Sequence, residues 1–355
     1  MSIPGSAPVP RLNGKRKDVS FPALSVIVPN YNHAQYLPRC LTAMVRQSVQ
    51  PAEILVLDDA STDNSVEVIE SFAKNHPVVH LHRNEKNLGI VANVDRGINL
   101  ARGDYLAFAA ADDEVAPGFF EKSLTLLAKH PHAALCCTIG EYRESATGLN
   151  WHMGVGVTDE PAYLSPARMV ECERKGKFYI PPNSVIFKKS ALFEVGRFRP
   201  ELKFACDWFA TYVAGFRYGI CFVPEPLAVF HVLADSYYHR HRRDKVAYQK
   251  VIHDLLELLI SAEFRDAGEL IRQSGSLYLF GWGVLRAILS EPRFRRFLNP
   301  LFLRKNLWHI TRLQLKKVTP AALGNWYLSV TGYRARPSKA TSPSPREERA
   351  GRGPG

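Results

Sequence analysis

Three short apolar runs in the first third of the chain each end in a polar cluster, and this repetition restricts the fold more than any other feature. Leu24–Val28 (LSVIV) runs into Pro29-Asn30-Tyr31-Asn32, Glu53–Leu57 (EILVL) into Asp58-Asp59, and Tyr105–Ala111 (YLAFAAA) into Asp112-Asp113. Continuous apolar and β-branched stretches of this length suit strands covered on both faces, the pattern of a parallel sheet. Between them the spacing turns helical, with Leu37, Leu41, Met44 and Val45, then Val66, Ile69 and Phe72. A further short run, Val78–His82, is followed by a helical stretch from about Val91 to Ala101 that Arg102-Gly103 closes. The expectation is β-α-β-α-β-α-β in one mostly parallel sheet flanked by helices, a Rossmann-like α/β fold with right-handed crossovers.

Open α/β sheets bind ligands outside the carboxyl ends of their strands. The three polar clusters therefore converge on one edge. A single acidic pair reads equally well as a solvated turn or as a metal site, because adjacent carboxylates are costly unless a cation or shared proton relieves them. Three clusters on one edge favour a nucleotide pocket. The chain has no G-x-x-x-x-G-K-[ST] and no G-x-G-x-x-G after a strand, which excludes phosphate binding by a glycine-rich helix start. A divalent ion between Asp112 and phosphate oxygens is the remaining way to place a diphosphate beside carboxylates. Asp59, an acceptor when ionised, suits a base N–H or ribose hydroxyls. Tyr31 either flanks the base or packs at the strand end.

Composition bounds the partners. The 355 residues carry a formal net charge of +12, which suggests an anionic partner. The six cysteines form no C-x-x-C pair and read as small buried hydrophobes of a reducing compartment. No secretory apolar segment opens the chain, and no run reaches the roughly 18 apolar residues that span a bilayer. The expectation is a soluble or peripheral protein.

The motifs SVIVPNYN (25–32), VLDDASTDNS (56–65), NLGIVAN (87–93) and GDYLAFAAADDEVAP (103–117) resemble those of the family 2 inverting glycosyltransferases, with their A-type nucleotide-diphosphosugar fold. SVIFKKSALFEVGRF (184–198) and CDW (206–208) follow in the same order and spacing, so the resemblance covers roughly Leu24 to Ser236. It implies that Pro29, Asn30, Tyr31, Asp58, Asp59, Asn87, Gly89, Asn93 and Asp113 surround the nucleotide. It implies Asp112 as ligand to Mg or Mn, and Asp207 as catalytic base. His231, after the apolar run LAVFH, reads as a metal ligand, a phosphate donor or a structural histidine.

The implied partners are a nucleotide-diphosphosugar, a UDP-sugar by default, and a hydroxyl acceptor such as a lipid-linked glycan. The implied place is the cytoplasm or the inner face of the membrane, in surface polysaccharide or glycolipid synthesis. The chain departs from the family at Ala110, where the acidic motif often has another acid, and at Asp95, where asparagine is common. Two rivals stand beside this reading. A sugar-phosphate nucleotidyltransferase would want a basic, glycine-rich loop after the first strand, which PNYNHAQY is not. A catalytically silent nucleotide-sugar-binding module has Ala110 in its favour.

The organisation follows: a Pro/Gly-rich arm at 1–22, a transferase domain at 23–236 (nucleotide half 23–117, acceptor half 118–236), a helical basic region at 237–333 and a low-complexity tail at 334–355. Helical spacing at Val251, Leu255, Leu256, Leu258 and Leu259 precedes a second helical pattern from Leu270 to Leu289. From Arg286 to Lys317 nine Lys or Arg face one acid, Glu291, with Phe294, Phe297, Phe302, Leu307 and Trp308 interleaved. An anionic membrane surface and plain packing on the same domain explain this pattern equally well. No nucleic-acid-binding motif is present.

Overall fold

The computed structural model describes residues 21–144, 148–176, 178–232 and 244–318. The expected tail, and all but the last two residues of the expected arm, lie outside them. The first half is built from β1 (Leu24–Asn30), α1 (Leu37–Val45), β2 (Glu53–Asp58), α2 (Ser65–Asn75), β3 (Val79–Arg83), α3 (Ile90–Leu100) and β4 (Tyr105–Phe108). These four strands are parallel, in the order β3-β2-β1-β4. Successive residues of β1 serve opposite cores. Val26 and Val28 pack with Leu41, Met44, Ile69 and Phe120, while Ile27 packs with Leu57 and Ile98. Burial on both faces is why the run is uninterrupted; a half-exposed strand would alternate.

The order of the strands reverses at β1, with β2 on one side and β4 on the other, which opens a crevice at their carboxyl ends. The opposite ends are pinned together. Glu53 accepts from Ser25 Oγ at 2.6 Å and from the Arg102 amide at 2.6 Å, and the Gly103 amide donates to Ser25 Oγ at 2.8 Å. A Cβ on Gly103 would lie 2.7 Å from the Ser25 nitrogen, so only glycine lets the chain enter β4 this close to β1.

The second half adds β5 (Glu114–Val115), α4 (Phe119–Lys129), β6 (Leu135–Glu144), β7 (Leu149–Met153), β8 (Ala162–Leu164), α5 (Pro166–Arg174), β9 (Val185–Lys188), α6 (Lys189–Glu194), α7 (Cys206–Tyr218) and β10 (Ile220–His231). Here the sheet becomes mixed. β9 is antiparallel to both β4 and β6, β6 and β10 are parallel, and the two-residue β5 pairs antiparallel with β10 through Val229↔Glu114. Together the strands form one ten-stranded sheet.

Four helices follow: α8 (Lys245–Ile260), α9 (Arg265–Ser274), α10 (Gly281–Ser290) and α11 (Pro300–Val318). Leu255, Phe264, Ile271, Phe297 and Phe302 share one core with Phe187, Phe209 and Val213 of the sheet half. Each such fully buried side chain contributes about 2–3 kcal/mol. The helical pattern expected from Leu270 to Leu289 is broken in two. Gly275 (φ 66°) and Gly281 (φ 57°) take left-handed backbone and bracket a 3-10 turn over Ser276–Phe280. A buried ion pair fastens the last helix: Lys305 Nζ reaches Glu173 Oε2 at 2.8 Å and the Ser274 carbonyl at 3.2 Å, and Tyr212 donates to Glu173 Oε1 at 2.8 Å. No helix among the described residues is long and apolar enough to cross a membrane. Five cysteines are buried and Cys206 is half-buried, all as free thiols.

Candidate active site

The carboxyl ends of β1 and β2 are laced by side chains. Asn30 Nδ2 donates to Asp58 Oδ1 at 2.8 Å and to Ser61 Oγ at 3.1 Å, and the Ser61 amide donates to Asp58 Oδ2 at 3.1 Å. Asn32, at φ 56°, accepts from the Thr62 amide at 2.8 Å. Asp63 takes the Ala34 and Ser65 amides; its burial is outweighed by these bonds, and its carboxyl sits below the usual range. Tyr31 stands exposed at the tip and Pro29 half-buried beneath it.

Asp59 holds the next loop. Its Oδ1 accepts from Asn84 Nδ2 at 2.7 Å and the Leu88 amide at 2.8 Å, and its Oδ2 accepts from the Gly89 amide at 2.9 Å. Asn87 and Gly89 are exposed beside it, at the start of α3.

Two residues expected to touch the nucleotide have other work. Asp58 has no accessible surface, and its oxygens are taken by Asn30 and Ser61. Asn93 is buried, donating to the Leu57 carbonyl at 2.8 Å and accepting from Asn84 at 2.9 Å. In this conformation neither offers a free atom to a ligand; both set the shape of the crevice.

The Asp112-Asp113 turn lies between β4 and β5. Asp112 is half-buried, and its carboxylate has no hydrogen-bond partner among the described residues; Arg39 Nη2, from α1, donates to its carbonyl at 2.7 Å. Asp113 is buried, accepting from the His231 amide at 2.9 Å and from Asn183 Nδ2. Burial, and then the Asp112 charge beside it, push the Asp113 carboxyl up to about 7. Arg39 Nε also pairs with Glu114 at 3.2 Å, and His231 Nε2 meets Glu114 Oε1 at 2.7 Å. Glu114 engages one ring nitrogen of His231, a contact that suits a structural histidine and equally one that ligates through the other nitrogen. Among the described residues the one group of three ligating side chains with mutually close donor atoms is His253, Glu257 and Glu291, away from this turn, with Arg293 already on both acids.

Asp207 is in the first turn of α7, half-buried, with the Trp208 amide donating to its Oδ1 at 2.7 Å. Burial pushes its carboxyl up to about 6, against that bond. Trp208 stacks on Tyr212 at 4.6 Å and meets Phe280 edge-on at 5.1 Å, so the C-terminal helices support the α7 start. Tyr142 of β6 ties the two acids into one region. Burial raises its hydroxyl far above the ordinary range, and Tyr179, Asp113 and Asp207 each raise it further. The ring itself is stacked between Phe230 at 4.5 Å and Trp151 at 5.4 Å.

The donor set fits a hard divalent ion. Asp112 supplies an open carboxylate, and Mg or Mn is commonly held by one or two carboxylates with substrate phosphates completing the shell. Arg39, Asn183, Glu114 and Asn84 were not expected at the site; of these only Glu114 falls within a quoted motif, directly after the Asp112-Asp113 pair, and the other three carried no signal. Asp95, given no role from the sequence, pairs with Arg197 at 3.0 Å and anchors α3 to the segment after α6.

Comparison with known proteins bears on the family and the fold. Residues 25–193 match the family model described as Glycosyl transferase family 2. An uncharacterized glycosyltransferase, YibD of Escherichia coli K12, is 39% identical over 129 residues, covering 36% of this chain and 37% of that protein. Chondroitin synthase of Escherichia coli is 30% identical over 135 residues, covering 37% of this chain and 20% of that protein. The chain thus spans well under half the length of these relatives. Among solved structures, TarS of S. aureus with UDP-GlcNAc superposes with a TM-score of 0.58 at 16% identity, over 76% of this chain and 73% of that one. The mannosyltransferase PcManGT of Pyrobaculum calidifontis, with GDP-Man and Mn2+, gives 0.54 at 18% identity, over 88% and 85%. Residues 25–193, just under half of the chain, thus resemble glycosyl transferase family 2, and the fold is that of these solved structures.

Proposed function

We propose that the protein is a metal-dependent, inverting glycosyltransferase that moves a sugar from a nucleotide-diphosphate donor to a hydroxyl acceptor. The observation that carries the reading is an open carboxylate, Asp112, on the turn whose next residue, Asp113, and the half-buried acid Asp207 both act on one hydroxyl, that of Tyr142. Pro29 and Tyr31 would flank the base. Asp59 would present the Leu88–Gly89 turn to the nucleoside. Uridine is the default nucleoside; TarS and PcManGT were solved with a UDP-sugar and a GDP-sugar, so both nucleotides belong in the test.

Asp207, once ionised, removes the proton of the attacking hydroxyl as it approaches the anomeric carbon from the face opposite the diphosphate. Its half-buried position keeps the carboxylate poorly solvated and therefore basic enough for the task. Arg39 and Asn183 fix the turn that carries Asp112, and a divalent ion on Asp112 and the donor phosphates would neutralise the leaving diphosphate's charge. In-line displacement of this kind inverts the anomeric centre. A place in surface polysaccharide or glycolipid synthesis, on the cytoplasmic side, fits the chemistry of such donors and the relatives' kind.

The test is calorimetric titration with a panel of nucleoside diphosphates, with and without Mn. One nucleotide should bind, and the binding should be lost in Asp112→Ala or with chelator. Asp207→Asn should bind the same nucleotide and fail to transfer. If no nucleotide binds at millimolar concentration, the reading fails and a silent module takes its place.

A further inference from the structure

The C-terminal helices turn one face to the core and leave another uncovered. On α10, Val284, Ala287 and Ile288 are buried, while Trp282 is 63% and Leu289 54% exposed. On α11, Phe302, Asn306 and Ile310 are buried, while Leu307, Trp308 and Leu315 are 65%, 63% and 48% exposed. Asn306 Nδ2 donates to the Gly281 carbonyl at 3.0 Å, so the two helices touch there and the two tryptophans flank the crossing. Arg286 lies within a groove of about 410 Å3 that Trp282, Leu285 and Leu289 line. Arg286, Arg295 and Arg304 are exposed, with no carboxylate within ion-pair distance among the described residues. The basic neighbours Arg293 and Arg296 differ, since each has an acid.

We propose that this face docks on an anionic lipid bilayer, lying on the surface rather than crossing it. The patch combines two demands: aliphatic and indole surface that needs an apolar medium, and arginines that need anions. A bilayer interface meets both, with leucines at the acyl boundary, indoles at the headgroup level and guanidiniums on lipid phosphates. The other occupants meet one demand each. A second copy bound through the same face would bring arginine against arginine. Residues 319–333, which follow α11, contain no acid to answer the arginines. Single-stranded nucleic acid would use the arginines and indoles but leave Leu289 and Leu307 in water. The proposal does not depend on the donor chemistry, and nucleotide binding reports on the fold of each variant independently.

The experiment is co-sedimentation of the full chain with vesicles of phosphatidylcholine alone or mixed with phosphatidylglycerol. Binding is expected to the mixed vesicles only and to weaken as salt is raised. Reversing Arg286, Arg295 and Arg304 together to Glu should weaken it about 100-fold or more. Trp282→Ser with Trp308→Ser should weaken it about tenfold or more. Both variants should keep the wild-type response to nucleotide. Failure of the full chain to bind mixed vesicles overturns the proposal, as does binding that survives either set of substitutions. Concentration-dependent self-association that the tryptophan variant abolishes, without vesicle binding, overturns it in favour of a second copy.

Discussion

The main-chain amide of His231 donates to Asp113 Oδ1 over 2.9 Å, joining residues 118 positions apart, while Asn183 Nδ2 holds the other carboxylate oxygen. Asp113 is thus a joint between the acidic turn, the end of β10 and the segment entering β9, and Asp112 is positioned through it. Removing one donor from a buried carboxylate costs about 1.5–3 kcal/mol. Asn183→Ala should lower the unfolding free energy by that amount and weaken nucleotide binding more in the presence of Mn than in its absence. Paired titrations with and without the ion check this.

The Asp207 carboxyl, raised to about 6 by burial, keeps its proton to a higher pH than an exposed aspartate. Since the base must be ionised to work, kcat/KM should climb as pH rises through about 6 and level off above it. Loss of a general base lowers turnover by about 100- to 10,000-fold. Asp207→Asn should therefore lose both the turnover and the acid limb, with nucleotide affinity unchanged. A pH–rate profile in which the variant retains that limb would assign the titration elsewhere.

Gly89 has φ 82° and ψ 157°, a backbone region open to glycine almost alone, with nothing near the position of a Cβ. The substitution Gly89→Ala therefore meets strain without a clash, about 1–3 kcal/mol. Because the Gly89 amide binds Asp59, the strain should fall on the loop at the base pocket. Urea denaturation should report the stability loss, and nucleoside affinity should drop with it while Asp112-dependent Mn enhancement persists.

Lys305 is 7% exposed at its side chain and Glu173 wholly buried, so each is the other's main compensation. Breaking such a pair from one side costs about 3–5 kcal/mol, more than the pair adds when both are replaced. Lys305→Met should destabilise strongly. Adding Glu173→Gln should recover much of the loss, as measured by calorimetric melting of the single and double variants.

The strands were legible because burial on both faces leaves a continuous apolar signal, and their carboxyl ends were legible because polar clusters stop each run. That placed Asp59, Asp112 and Tyr31 at one edge. It could not tell that Asp58 and Asp59 are both buried, the first held by Asn30 and Ser61 and the second by Asn84 and the Leu88–Gly89 amides, since those partners come from other segments. Arg39 and Asn183 reach the site from elements far away in sequence, where an isolated polar residue has no period to reveal it. Lys305 looks like its solvated neighbours, and its burial depends on Glu173, 132 positions earlier. The parallel half of the sheet was readable, whereas the antiparallel insertion of β9 and the two-residue β5 were too short or too apolar to register. In the C-terminal region the packed faces of the helices are set by the core, which a run of basic and apolar residues does not reveal, and the exposed faces bear on the proposal made above.

The two-residue strand β5 finds its partner only in β10, so the acidic turn is fixed by nearly the last residues of the transferase domain. A nascent chain that has made the entire nucleotide half still lacks the strand that rigidifies Asp112-Asp113. On the proposed reading, competence to capture a donor would therefore be acquired late in synthesis, once the residues up to position 231 are available to pair with β5.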